Sequence, residues 1–246
     1  MNTSEMTRLL QAEYTPQVPT WMRIIDVSLS ITALIVLAPL ILLITIVTKI
    51  VSPGPVFFKQ ERIGLGGNRF MCYKFRSMKV GASTAVHQSH CQNLMKSNAP
   101  MVKMDSKGDP RLIPFGWLLR SSGLDELPQI INVLRGEMSL VGPRPCLPFE
   151  SAEYLPWQKE RFNTLPGLTG LWQVSGKNET TFDQMIKFDI YYSRNKSLGL
   201  YVKIVLMTVP TLIGQIMKAK SKKSPSVEAK REKSTAPIGQ TQTVRY

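Results

Sequence analysis

The chain of 246 residues has 43% hydrophobic content and a formal charge of +14, enough apolar mass for one packed domain with a smaller element beside it. Eight Lys or Arg against two Glu between Lys218 and Tyr246 supply +6 of that charge, and the other 217 residues carry +8; such a surplus suits anionic headgroups, phosphorylated substrates or nucleic acid. Cys72, Cys91 and Cys146, odd in number and far apart, exclude a disulfide framework and a paired-cysteine zinc site, and point to a reducing compartment.

The first predicted element is apolar. Val27 to Thr48 is a 22-residue stretch without a charge, which reaches about 33 Å as a helix, against about 30 Å for a hydrocarbon core. It starts too late, lacks a basic lead-in and is too long for a signal peptide, so it is expected to stay in the mature protein. Ala38-Pro39 at its midpoint removes a backbone hydrogen bond and bends a helix, so a hairpin that enters and leaves on one face competes with a full span. Physics leaves both open. Lys49, Lys59, Arg62, Arg69, Lys74, Arg76 and Lys79 follow closely and assign the downstream domain to the cytoplasm.

Ser52-Pro53-Gly54-Pro55 ends the helix, and Val56 to Ile63 and Arg69 to Met78 read as the two strands of a hairpin around Gly64-Leu65-Gly66-Gly67-Asn68. Lys74 and Arg76 alternate with Tyr73 and Phe75, which gives one basic and one aromatic strand face. Lys79 to Lys107 reads as a long loop with at most one short helix, a candidate cover for a site. His87, His90 and Cys91 cluster within it in a polar setting but lack a fourth ligand, so no metal is assigned there.

Pro114 to Arg120 predicts a helical turn, broken by Ser121-Ser122-Gly123 before a helix from about Asp125 to Arg135. Asp125 is expected to cap that helix, Glu126 to favour its positive end, Pro128 to be tolerated in its first turn and Gly136 to stop it. Ile130, Ile131 and Leu134 are expected to face a core. Gly142-Pro143-Arg144-Pro145 follows as a rigid turn, Leu165 to Gly170 as another, then a short strand from Leu171 to Val174. Thr180 or Thr181 is expected to cap a helix reaching Tyr192, with Asp189 in its last turns. Leu198 to Met217 reads as a helix in the headgroup layer, and the Lys/Ser-rich tail as disordered.

An Asp-Glu pair alone is an ordinary solvated cap. Company changes its reading: Arg120 lies five residues before Asp125, Arg144 is pinned between prolines, and a membrane element holds the domain at a lipid surface. A carboxylate nucleophile and phosphate-seeking arginines point to phosphate chemistry at a membrane. Arg144 in a structural ion pair and Lys74 on a solvated strand face are the plainer alternatives.

Ser52-Pro53-Gly54-Pro55-Val56-Phe57-Phe58-Lys59-Gln60-Glu61-Arg62-Ile63-Gly64, Tyr73 to Met78, Leu124-Asp125-Glu126-Leu127-Pro128-Gln129, Gly136 to Pro145 and Pro166 to Gly176 together resemble the bacterial sugar transferases, or monotopic phosphoglycosyl transferases. The resemblance runs from about Arg23 to Leu212, and five ordered motifs make it specific. It implies transfer of a sugar 1-phosphate from a nucleotide diphosphate sugar, such as a UDP-hexose, to polyprenyl (undecaprenyl) phosphate. That step would start exopolysaccharide, capsule or O-antigen assembly. Asp125 would attack the sugar-bearing phosphorus and form an aspartyl phosphosugar, with Glu126 holding Mg2+ on the diphosphate. Lys74, Arg120 and Arg144 would contact phosphates, and Asp189 would support the site.

The implied architecture is an α+β, monotopic membrane protein of the bacterial inner membrane, with its catalytic domain on the cytoplasmic face. Residues 1–21 form a tail, residues 22–51 a membrane-embedded re-entrant helix broken at Ala38-Pro39, residues 52–217 the catalytic domain with interfacial amphipathic helices, and residues 218–246 a basic disordered tail. Longer members of the family add spans upstream, for which residues 1–21 leave no room. Three positions depart from the usual pattern: Lys177, a substrate-binding candidate, stands where arginine is common, Cys146 where an acid is common, and Arg23 is the one basic residue before Asp26. Membrane lipids, the nucleotide sugar and the polyprenyl phosphate are the expected partners and nucleic acid is not; nothing in the pattern fixes an oligomeric state. The competing class is a non-catalytic, membrane-tethered basic adaptor.

Overall fold

A computed structural model describes residues 18–82, 85–101, 109–176 and 179–221. Lys177, most of both tails and residues 102–108 of the long loop lie outside the described residues. The architecture is mixed α+β, opening with one long apolar helix, α1 (Thr20–Val51).

Helix α1 runs as one element through Pro39, where the sequence predicts a break. Proline removes a single donor from the ladder, and the turns on either side keep theirs. Both ends of α1 pack on the same globular body. At the start, Met22 is buried with Val141, Tyr192, Tyr201 and Ile204. Asp26, fully buried, accepts hydrogen bonds from Ser139 Oγ (3.0 Å), Leu140 N (2.8 Å) and Tyr201 Oη (2.6 Å) on one carboxylate oxygen. Charge-assisted bonds offset the cost of burying that carboxylate. Arg23 donates to the carbonyls of Val133 and Leu134. Toward the other end, Ile44 packs with Phe75 and Leu119, flanked by Leu40 and Ile41. Between these two docks Ile35 and Val36 are exposed.

Ser52-Pro53-Gly54-Pro55 stops α1, and Arg76 ties the exit down by donating to Ser52 O (2.5 Å) and Pro53 O (2.8 Å). Arg76 is therefore buried, so the plainer alternative of a solvated basic strand face does not hold there, because Arg76 is the donor to the α1 exit carbonyls. Strands β1 (Phe57–Ile63) and β2 (Arg69–Phe75) make the expected hairpin, in the register Phe57↔Phe75 to Ile63↔Arg69. Tyr73 lies between Lys59 and Arg135, both over its ring. Helix α2 (Ala85–Ser97) occupies the long loop.

Helix α3 (Gly116–Ser122) precedes a 3₁₀ turn at Leu124–Glu126, and α4 (Gln129–Arg135) follows. The long helix expected from Asp125 is thus split. Pro128 is the residue before α4, without a side-chain cap, and Asp125 lies upstream in the tight turn rather than capping a helix. Gly136 closes α4 at φ +79° as expected. Ile130 is buried while Ile131 and Leu134 are half-buried; Asn132 and Val133 are buried instead. Asn132 takes the place of a neighbouring strand, accepting from Tyr73 N (3.1 Å) and donating to Met71 O (2.7 Å) along the free edge of β2.

Strand β3 (Ser139–Val141), α5 (Pro148–Ala152), a 3₁₀ segment at Pro156–Asn163 and β4 (Gly167–Thr169) follow, β3 and β4 pairing in parallel. Residues Leu171–Val174 are helix α6, not the predicted strand. The strand starts four residues earlier, at Gly167, because glycine there lets two backbones meet: a Cβ on Gly167 would lie 2.0 Å from Gly142 N. Helix α7 (Phe182–Arg194) starts with a reciprocal cap between Thr181 and Gln184, as expected. Helix α8 (Leu198–Ser221) buries Tyr201 and Ile204 and exposes Val202, Leu206, Val209 and Ile213.

Candidate active site

The acid pair is placed by the residues on either side of it. Gly123 adopts φ +76°, a left-handed geometry that reverses the chain after α3 at low cost for glycine alone. Glu126 N then bonds Gly123 O (3.0 Å) and Leu127 N bonds Leu124 O (3.3 Å). Leu124 and Leu127 are packed against the cluster of Ile44 from α1, Phe75 from β2 and Leu119 from α3, which holds the turn in place. Asp125 between them is 7% exposed.

Glu126 Oε1 lies 2.6 Å from Lys74 Nζ, with side-chain exposures of 39% and 21%. Lys74 shares a hairpin face with Cys72 and, across the ladder, Gln60 and Arg62. Arg62 is buried; its fork donates to Pro145 O (2.9 Å) and Gln60 Oε1 (2.7 Å). Burial first, then repulsion from Arg144, lowers its pKa, while Glu150 and Glu126 pull the other way. Arg62 therefore feels both the acid pair and the proline turn.

Arg144 Nη1 donates to Glu150 at 3.3 and 3.4 Å. Burial works to raise the Glu150 carboxyl, but Arg144 and Arg62 outweigh it and hold it below its ordinary value. Asp189 does not meet Arg144 directly. It pairs with Arg161 at 2.5 Å, both side chains being 1% exposed. Burial lifts the Asp189 carboxyl to about 6 against the pull of Arg161 and Arg144. A shallow recess lies beside this cluster, lined by Gly64, Pro143, Arg144, Arg161, Thr164 and Pro166 among others.

Two groupings result: Asp125, Glu126 and Lys74 on one side, Arg144 with Glu150, Arg161 and Asp189 on the other, and Arg62 electrostatically between them. Arg120 sits half-buried in the last turn of α3, within electrostatic reach of Asp109. Sequence reasoning gave no role to Arg62, Glu150, Tyr154 or Arg161. Arg62 lies inside the Ser52–Gly64 motif, but Arg161 ends the polar run Gln158-Lys159-Glu160-Arg161, which reads as solvated surface and carries no signal of burial.

The chemistry available is that of a carboxylate among cationic phosphate binders. The three cysteines are buried, and burial pushes each thiol up, which leaves them poor nucleophiles. Among the described residues no group of three or more His, Cys, Asp or Glu forms a metal cage. Adjacent Asp125 and Glu126 do suit Mg2+, which takes one or two protein carboxylates and completes its shell with water and substrate phosphates.

Residues 18–215 match the family model described as bacterial sugar transferase. The chain is 38% identical over 190 residues to the exopolysaccharide production protein ExoY of Sinorhizobium fredii, covering 77% of this chain and 84% of that protein. It is 41% identical over 198 residues to a UDP-glucose:undecaprenyl-phosphate glucose-1-phosphate transferase of Xanthomonas campestris, covering 77% of this chain and 38% of the relative. An undecaprenyl-phosphate galactose phosphotransferase of Salmonella typhimurium is 35% identical over 198 residues, with 78% and 40% covered. The chain thus spans most of the first relative and about two-fifths of the other two.

Proposed function

The chain belongs to the bacterial sugar transferase family, and on that premise we propose that it transfers a sugar 1-phosphate from a UDP-hexose to undecaprenyl phosphate through a covalent intermediate on Asp125. The names of the Xanthomonas and Salmonella relatives support the lipid acceptor, and the first supports a UDP-linked donor. The name of the Sinorhizobium relative supports a place in exopolysaccharide production. The observation that carries the reading is the nearly buried Asp125 beside the Glu126–Lys74 pair, on a turn packed against Ile44, Phe75 and Leu119.

In the first half-reaction a carboxylate oxygen of Asp125 attacks the phosphorus that bears the sugar. The bond from that phosphorus to the bridging oxygen breaks, and UMP leaves with the electron pair. In the second, a phosphate oxygen of the lipid attacks the same phosphorus, the aspartyl bond breaks, and the carboxylate is restored with a polyprenyl diphosphate sugar as product. Lys74 and Arg144 bind donor phosphates and lower the repulsion that an anionic nucleophile meets; Arg120 and Lys177 belong to the same set by family resemblance. Glu126 would hold Mg2+, whose bound form supplies charge neutralisation on the diphosphate. Lys74 keeps the Glu126 carboxylate aimed at the same space.

Helix α1 is read as re-entrant, bending at Pro39 within its continuous helical run, with both ends on the cytoplasmic face of the inner membrane. Its two ends dock on one globular body through Asp26 and Ile44, which opposes placing them on opposite sides of a bilayer. The exposed apolar residues of α8 extend the same membrane-facing surface.

Purified protein in detergent, given a panel of UDP-sugars with and without undecaprenyl phosphate, is expected to release UMP from one donor in step with glycolipid formation. A chain that binds lipid vesicles but releases UMP from none of them is an adaptor.

A further inference from the structure

The turn Pro143-Arg144-Pro145 has little means of holding itself, since two of its three residues lack an N–H. Each of its carbonyls is instead pinned by a separate donor. Pro143 O accepts from Gly167 N (2.8 Å), Arg144 O from Arg161 Nη2 (2.8 Å) and Pro145 O from Arg62 Nη1 (2.9 Å). Arg161 is itself fixed from two more directions: Nη1 donates to Tyr154 Oη at 2.6 Å and Nη2 to Asp189 at 2.5 Å. At 1% exposure Arg161 and Asp189 present almost no surface to a substrate.

The Arg144 side chain is held differently. Its contacts to Glu150 at 3.3 and 3.4 Å are longer than the roughly 2.7–2.9 Å of a well-made charge-assisted bond, and 23% of it is exposed. Glu150 makes its short bond elsewhere, to Leu147 N at 2.8 Å. Arg144 thus combines a fixed main chain with an exchangeable guanidinium.

We infer that Arg161, itself held by Asp189 and Tyr154, is a positioning residue that fixes the Arg144 main chain so that the Arg144 guanidinium can exchange Glu150 for a donor phosphate without reordering the turn. This rests on the function proposed above and deepens it. Arg161 touches no reacting atom; it acts through Arg144.

Arg161→Lys keeps the charge but replaces a planar fork with a single ammonium, which does not span Tyr154, Asp189 and the Arg144 carbonyl together. The expected result is a KM for the UDP-sugar raised about tenfold with a smaller change in kcat. In an Arg144→Ala background the same substitution is expected to change KM by less than about twofold, because its effect passes through the missing side chain. Hydrogen exchange across residues 142–147 is expected to quicken in Arg161→Lys. Tyr154→Phe, which removes one of the three bonds, gives the same pattern at smaller size and carries the test if Arg161→Lys does not fold. Equal KM increases in both backgrounds, or unchanged exchange in the turn, overturn the inference. Should the wild type release no UMP from any donor, the function reading falls, and the exchange arm still decides whether Arg161 holds the turn.

Discussion

Asp125→Asn is expected to lower UMP release and glycolipid formation by about a thousandfold or more, since an amide does not replace a carboxylate as the attacking group. The substitution is isosteric. Gly123 still reverses the chain, and Leu124 and Leu127 still pack against Ile44, Phe75 and Leu119, so the fold is expected to persist. Thermal unfolding of the variant should therefore follow the wild type closely while turnover is lost. That pairing separates a chemical role from a structural one. Loss of both together would make Asp125 a folding residue, and retention of turnover would remove it from the reaction.

Gly167→Ala is expected to damage the fold itself. The added Cβ would lie 2.0 Å from Gly142 N, 2.3 Å from Thr169 O and 2.6 Å from Gly142 Cα. All three are backbone atoms of the β3–β4 pair, so no side chain can swing away. Overpacking of this kind costs about 3 kcal/mol or more, which for a chain of this size is a fall of roughly 6–12 °C in Tm. The damage also reaches the site, because Gly167 N holds Pro143 O. Gly199→Ala in α8 is the control: nothing lies within 4 Å of a Cβ there, and a helical glycine replaced by alanine stabilises by about 0.4–1 kcal/mol. Calorimetry on the two variants checks both expectations.

The parts of the fold that follow from local rules were legible in the residues. Alternation around Gly64 to Asn68 gave the β1–β2 hairpin, and Thr181 with Gln184 gave the start of α7. What was not legible depends on partners far along the chain. Pro128 was compatible with a helix opening at Asp125, but the leucines at 124 and 127 are drawn to α1, and the acids end in a 3₁₀ turn. Leu171 to Val174 looks like a strand by composition, yet the close approach of Gly142 and Gly167 starts the pairing four residues upstream.

Charge misled in the same way. Asp26 and Arg23 flank an apolar run and read as boundary markers, whereas they dock α1 onto β3 and α4. Arg76 and Arg161 read as solvated, whereas each is buried and donates to a remote main-chain carbonyl, Arg76 to Ser52 O and Arg161 to Arg144 O. Sequence periodicity reports which side of an element meets the core, not which remote carbonyl needs a guanidinium. The acid pair and Arg144 stand out by motif order, as do Arg62 and Gly167, whereas Glu150, Tyr154 and Arg161, which hold Arg144 in place, lie outside every motif.

The most direct test of the covalent route uses wild-type protein and its preferred UDP-sugar with no lipid acceptor present. Intact mass measurement is expected to show one sugar-phosphate added per chain, mapped by fragmentation to Asp125 and discharged when undecaprenyl phosphate is supplied. A donor that is turned over rapidly yet never marks Asp125, under conditions that preserve acyl phosphates, would contradict the account.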